Sequence, residues 1–375
     1  MSNEAVRTED SEFDGVRKLP FTIPDVYGFL GHAYVLGILQ NYEECKPWIY
    51  THYNQLYISK DYIGIGEYRL DFFPNLMVLF GNVPWLKYRQ TCKGMLADLG
   101  VDIHAFLKRH IDGGYYCSTY VDEYYIPNSI SNGAHHFSHD LMVYGYDLNR
   151  QIYNIAIFDK NRQFSFQEVT FENFGLAYYK DTGQKGISLC RKVEPREYGG
   201  SRYGAQLGRF DLELQTMVDS MSDYLNGVDT SKRLRFYYQS IEGYYGLDIY
   251  EGLQEGFRLT AEGSINLDVR PLHILWEHKK MMTARIRYLQ EQGALGEDNG
   301  ALEGYTRLEG EAMVLRNMLL KYFYSRNNAT LGDIVTRLSH MQAAEEQVLG
   351  ELVEELCRRN HLTPYQYEQA EKLEV

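Results

Sequence analysis

The pattern of apolar and polar positions changes character about halfway along the chain. Up to about residue 180, apolar residues come in short runs broken by glycine, proline and polar clusters. From Leu207 onward, nearly every apolar position recurs at helical spacing. In the first half, residues 1 to 18 read as a loose tail and ordered structure is expected from Leu19. The run from Ala33 to Tyr42 has helical spacing with apolar residues on most sides, which predicts a central helix over 31 to 42. Short alternating pieces follow at 48 to 58 and 70 to 80, then an amphipathic helix over 83 to 99 and a shorter one over 103 to 110 that stops at Gly113 and Gly114. Residues 115 to 121 read as a strand, and strands over 139 to 145, 151 to 158 and 163 to 169 predict an antiparallel meander.

Residues 181 to 206 are rich in Gly, Lys and Arg and read as a linker. Helices are then expected over 209 to 224, 231 to 243, 247 to 261, 268 to 292, 302 to 325 and 330 to 358. The expected class is therefore α+β: a domain over 19 to 180 with an antiparallel sheet and a central helix, followed by an all-helical domain over 207 to 375.

A formal charge of -13 changes the picture of partners, because phosphate backbones and anionic membranes need a basic face. No nucleic acid and no membrane are expected, and neutral or positive partners fit better. Five cysteines, Cys45, Cys92, Cys117, Cys190 and Cys357, are odd in number and widely spaced. That suggests neither a disulfide framework nor a Cys-x-x-Cys metal site and implies a reducing, cytoplasmic setting. The first ten residues are polar and acidic, unlike a secretory signal, and no run approaches the roughly 20 apolar residues of a membrane span. Thirty-three tyrosines are unusual, and either codon bias or a tyrosine-lined cleft accounts for them.

The candidate chemistry gathers at residues 135 to 147, where His135, His136 and His139 crowd the start of an apolar strand that ends in Gly145-Tyr146-Asp147. A general-base imidazole needs its second nitrogen held by a carboxylate or amide. His139 at the start of one strand and Asp159 at the end of the next would lie side by side in a hairpin, so they are the candidate base and orienter. A strand-end histidine and a turn aspartate with no chemical role is the plain alternative. His135, His136, His139 and Asp140 also offer zinc donors, although their spacing matches no known signature and no metal is expected. His273 and Glu277, four apart on one helical face, read as a helical salt bridge. A thiol-dependent site would add a cysteine at the start of the 31 to 42 helix, but Tyr27 to His32 contain none, and Cys45 lies beyond its other end.

These segments resemble the N-terminal domain of butirosin biosynthesis protein H and its relatives, a papain-fold family related to the double-glycine cysteine peptidases. The resemblance rests on residues 24 to 41, on 114 to 127 with the core Val121 to Pro127, and on 139 to 147 with Asp159. It covers about 19 to 180 and implies a papain-like domain. It also implies a place in nonribosomal peptide or related natural-product biosynthesis, with acyl transfer from a carrier-bound thioester to an amine. His139 would be the base and Asp159 its orienter. Where the family pattern has a cysteine, this chain has Leu30, two residues before His32.

Two functions follow from that departure. The first is acyl or peptidyl transfer in which His139 activates an amine for direct attack on the thioester, with the start of the helix and His32 stabilising the oxyanion. The second is a catalytically inactive papain-fold protein that binds a carrier-bound intermediate or a small amine. A metal-dependent hydrolase is a third. Under the papain-like topology Tyr27, His32, Asp122, Tyr124 and Tyr125 lie near His139 as substrate-binding residues. No cofactor is implied, and charged pairs such as Glu345-Glu346 and Arg358-Arg359 leave self-association open.

Overall fold

The computed structural model describes residues 15–60, 69–73, 83–183, 186–193, 211–234 and 242–367. Its strands, in chain order, are β1 (Val16–Lys18), β2 (Gln55–Ser59), β3 (Leu70–Phe73), β4 (Leu86–Cys92), β5 (Tyr116–Asp122), β6 (Ser138–Asp147), β7 (Ile152–Phe158), β8 (Phe164–Thr170), β9 (Gly186–Lys192) and β10 (Gly243–Tyr245). Its helices are α1 (Leu30–Leu39), α2 (Lys46–His52), α3 (Lys93–Asp98), α4 (Ile103–Asp112), α5 (Phe171–Lys180), α6 (Leu214–Leu225), α7 (Ser231–Leu234), α8 (Ile249–Ala261), α9 (Arg270–Glu291), α10 (Ala301–Ser325) and α11 (Asn328–Asn360). The architecture is mixed, with antiparallel sheets and a helical C-terminal region. Among the described residues no helix is long and apolar enough to cross a membrane.

Several segments differ from the sequence expectation. The helix expected over 83 to 99 is β4 followed by α3, because a strand solvated at most of its positions carries too few apolar residues to show its period. The linker expected over 181 to 206 contains β9, which pairs with both β4 and β5, and residues 194–206 lie outside the described residues. The tail ends in β1, paired with the second half of β6, and residues 1–14 lie outside the described residues. The alternating piece at 48 to 58 is mostly α2 before β2, and the helix expected over 231 to 243 is described only as α7 and the first residue of β10. Of the piece at 70 to 80, only β3 is described.

By its internal contacts the chain divides into two compact units, and neither is continuous in sequence. Unit 1 comprises Met1–Ile23, Gly37–Asn41 and Phe80–Gly208, and unit 2 comprises Pro24–Leu36, Tyr42–Leu79 and Arg209–Val375. The expected division into 19 to 180 and 207 to 375 is thus replaced by one in which residues 24–36 and 42–79 belong with the helical part.

Unit 1 is built on a sheet of order β4-β9-β5-β6-β7-β8. Successive side chains alternate between its faces. On one face Phe21 meets Tyr144 at 5.3 Å and Tyr116 and Phe166 at 5.8 Å. A Cβ at Gly37 of α1 would lie 2.6 Å from the Phe21 ring, so only glycine permits that approach. On the other face Tyr153 stacks on His104 of α4 and packs against Phe171 and Phe174 of α5. The register between β6 and β7 shifts at Val143/Gly145, where a Cβ would meet the Arg17 carbonyl oxygen at 2.7 Å.

Unit 2 pairs the small sheet β10-β2-β3 with α2 and the C-terminal helices. At its centre Lys279 of α9 and Glu345 of α11, both fully buried, lie 2.6 Å apart. Tyr250 of α8 and Tyr305 of α10 donate to the same carboxylate at 2.7 and 3.3 Å, and Tyr224 of α6 accepts from the Lys279 ammonium at 3.0 Å. Five helices therefore converge on one ion pair, and removing either charge would strand the other. Arg285, also fully buried, donates to the carbonyl oxygens of Tyr50 and Tyr53 at 2.6 Å and so satisfies the C-terminal end of α2. Burial lowers its pKa only to about 10, so it stays charged.

His278 sits in the same core. Its Nε2–H donates to the Asn54 carbonyl at 2.6 Å, and its Nδ1 faces the Lys279 ammonium at 3.1 Å. Burial, reinforced by the Lys279 charge, holds its pKa well below the ordinary value. Below about pH 6.5 the unfolded chain therefore binds a proton that the native state refuses, so stability falls as pH drops, by about 1.4 kcal/mol per pH unit for this one group. Urea unfolding at pH 7.5 and 5.5 checks this: the wild type should lose about 1 kcal/mol more than His278→Gln over that interval. Parallel losses would remove His278 from the account.

Candidate functional site

The chemistry-bearing residues of unit 1 collect at one end of its sheet, where β5 ends and β6 begins. Val121 pairs with His139 and Asp122 with Ser138, and the ladder continues one step as Glu123 N donates to the Phe137 carbonyl at 2.9 Å. Alternation then places Asp122 and Glu123 on opposite sides of the backbone, and each carboxylate takes its own imidazole. Glu123 Oε1 lies 2.8 Å from His139 Nδ1, and Asp122 Oδ2 lies 2.6 Å from His136 Nδ1. Both acids are buried, at 3% and 5% exposure, whereas the His139 and His136 side chains are 29% and 67% exposed. A carboxylate only accepts, so each Nδ1 carries the hydrogen and each Nε2 is the basic nitrogen, that of His139 lying 3.9 Å from Asp140 Oδ1.

The local fold explains the rigidity of this pair of pairs. Asp122 caps the turn after β5, its Oδ1 accepting from Tyr124 N at 3.1 Å and Phe137 N at 3.2 Å. Tyr124 stacks on His136 with centroids 4.5 Å apart, and Tyr125 meets Tyr124 edge-on at 5.0 Å. Phe137, exposed, lies 5.4 Å from the His139 ring. Asp122, Tyr124 and Tyr125 are thus brought together around His136, whereas His139 stands with Glu123 on the other side of the backbone. Asp122 anchors His136, so its carboxylate is already committed.

Asp159 is not the orienter of His139. Its Oδ1 accepts from Asn161 N and Gln163 N at 2.8 and 3.0 Å, closing the turn between β7 and β8. Extending the register from Met142 opposite Ala156 would set His139 opposite Asp159, but the chain after β5 loops back and puts Ser129 there instead. Glu123 fills the role. The sequence carried a signal for it, since two consecutive acids directly after a strand must point to opposite sides, and one of them shares the face of the paired His139.

A second buried pair braces the same end. Lys93, at the start of α3, lies 2.7 Å from Asp181, donates to the Tyr120 carbonyl and covers the Tyr178 ring at 4.5 Å. Burial lowers the Lys93 pKa. Burial also pulls Asp181 upward, but its hydrogen bond with Lys93 and that residue's charge hold it below the usual carboxylate range. No thiol of unit 1 is in reach. Cys117 and Cys190 are buried, the latter pushed up to about 12 by burial. The exposed Cys92 stands three strand spacings from Asp140 of β6, roughly 14 Å. Its sulfur accepts from Met95 N at 3.2 Å.

Tyr27 and His32 belong to unit 2. His32 is fully buried, with Nε2 2.8 Å from Asp71 and Nδ1 3.2 Å from the Tyr53 hydroxyl, so both ring nitrogens are used and the expected substrate contact is replaced by a core one. Glu277 of α9 accepts from Tyr27 N at 2.6 Å and Gly28 N at 3.0 Å. An internal carboxylate therefore occupies the amides of Tyr27 and Gly28, just before α1. The His273–Glu277 contact expected on one helical face is present at 3.1 Å. Among the described residues no group of three or more His, Cys, Asp or Glu side chains is placed to hold a metal ion. His135 turns instead to the Ser131 hydroxyl at 3.2 Å.

The arrangement can hold an imidazole in one tautomer and let it take a proton. Nitrogen-15 NMR tests that directly: neutral His139 should carry its hydrogen on Nδ1, and in Glu123→Ala the ring should shift toward the Nε2–H form. An Nε2–H ring in the wild type would contradict the geometry. No family model matches the chain, and no curated protein does.

Proposed function

We propose that the protein is a papain-like acyl-transfer catalyst of nonribosomal peptide or related natural-product biosynthesis that works without a thiol of its own. The observation that carries this reading is the 2.8 Å contact between buried Glu123 and the partly exposed His139. His139 Nε2 takes the proton of an amine as its nitrogen attacks the carbonyl carbon of a carrier-bound thioester. The C–N bond forms, the C–S bond breaks, and the thiol leaves with the proton. The substrate is carrier-bound or a small molecule, and no cofactor enters the step. His32 takes no part in stabilising the oxyanion, because Asp71 and Tyr53 already occupy both of its ring nitrogens.

That same occupancy favours a second reading, a papain-like binding protein that holds a carrier-bound intermediate or a small amine without transforming it. Multiple turnover separates the two. With short acyl thioesters and a panel of amines, the wild type should form amide over many cycles. His139→Ala should lose about 100-fold or more with an unchanged circular dichroism spectrum. Saturable binding without turnover in the wild type would support the second reading and end the first.

A further inference from the structure

Unit 2 contains a chain of hydrogen bonds that ends on a cation paired directly with no acid among the described residues. Glu277, fully buried, accepts from Tyr27 N and Gly28 N and from His273 Nε2, the last at 3.1 Å. The His273 Nδ1 lone pair then accepts from Arg316 Nε of α10 at 2.8 Å. Arg316 Nη1 donates to the Asn317 side chain at 3.1 Å, and no carboxylate pairs with this guanidinium among the described residues. It lies over the Trp276 ring at 5.8 Å, and Lys280 lies over the same ring at the same distance. Lys280 also pairs with Asp25 at 2.7 Å, both partly exposed. Tyr27 meets His273 edge-on at 5.1 Å.

We propose that Arg316, with Lys280 and Trp276, forms a binding site for an oxyanion, a phosphate or carboxylate group of a small ligand. A guanidinium held from behind through His273 and Glu277 loses little freedom when it binds, and its planar fork matches an oxyanion. In a chain of net charge -13, a partly exposed arginine that meets no carboxylate directly among the described residues, and reaches Glu277 through His273, is a positive centre that an outside anion can meet. Lys280 supplies a second cation when Asp25 gives way. The site stands independently of acyl transfer, since every residue in it belongs to unit 2.

Titration of the full chain with inorganic phosphate and with acetate, at ionic strength held constant with sodium chloride, tests the site. The readout is the Trp276 indole N–H resonance, identified by its loss in Trp276→Phe. Saturable shifts should appear with at least one anion, and the tighter of the two names the group bound. Arg316→Gln should weaken that binding about 10-fold or more, and Arg316→Lys less. Lys280→Gln, which leaves Arg316 and its support in place, should weaken it by a smaller factor. Absence of a saturable shift with both anions, or equal affinity in wild type, Arg316→Gln and Lys280→Gln, overturns the proposal.

Discussion

A carboxylate cannot leave water without donors to receive it, and this protein buries carboxylates at each place where its structure is decided. Glu345 gathers Lys279, Tyr250 and Tyr305 and so ties together helices that are far apart in sequence. Glu277 takes two backbone amides before α1 and a histidine of its own helix. Asp71 takes His32, and Asp181 takes Lys93. At the end of the unit 1 sheet, Asp122 and Glu123 apply the same rule twice within two residues.

The chemical consequence is sharpest at His139. A buried acid on Nδ1 decides which nitrogen keeps the hydrogen, and the partly exposed ring presents the other as a base. Papain-type chemistry joins such a base to a thiol, whereas the cysteines of unit 1 are either buried in the sheet or roughly 14 Å away across it. A thioester is activated enough to react directly with a neutral amine whose proton a general base takes as the C–N bond forms. In the proposed transfer, the base and its orienter are the parts the reaction needs from this site. Asp71 does the opposite work in unit 2, closing the His32 imidazole that was expected to stabilise the oxyanion.

How much of this was legible in the sequence depended on whether a local pattern or a distant partner made the decision. The meander from Ser138 to Thr170 and the long helices from Arg270 onward were legible because apolar runs bounded by turn residues mark the strands and helical spacing persists over many residues. β4 and β9 were not, since one is an edge strand with few buried positions and the other lies among glycines and basic residues that read as a linker. His139 was found from its place at the head of an apolar strand. Its partner was misassigned to Asp159 because a hairpin register says nothing about a loop that folds back to fill the position opposite. His32 was read as a site residue, but Asp71, which makes it a core residue, is 39 positions away in sequence.

The central claim is that proton transfer by His139, oriented by Glu123, suffices without a protein thiol. The most direct measurement is steady-state amide formation from a thioester and an amine by protein in which Cys45, Cys92, Cys117, Cys190 and Cys357 are all replaced by alanine. The account expects this folded, cysteine-free protein to turn over at a rate close to the wild type and to lose turnover when His139→Ala is added. Abolished turnover in the folded cysteine-free protein, with restoration by a single cysteine, would contradict it.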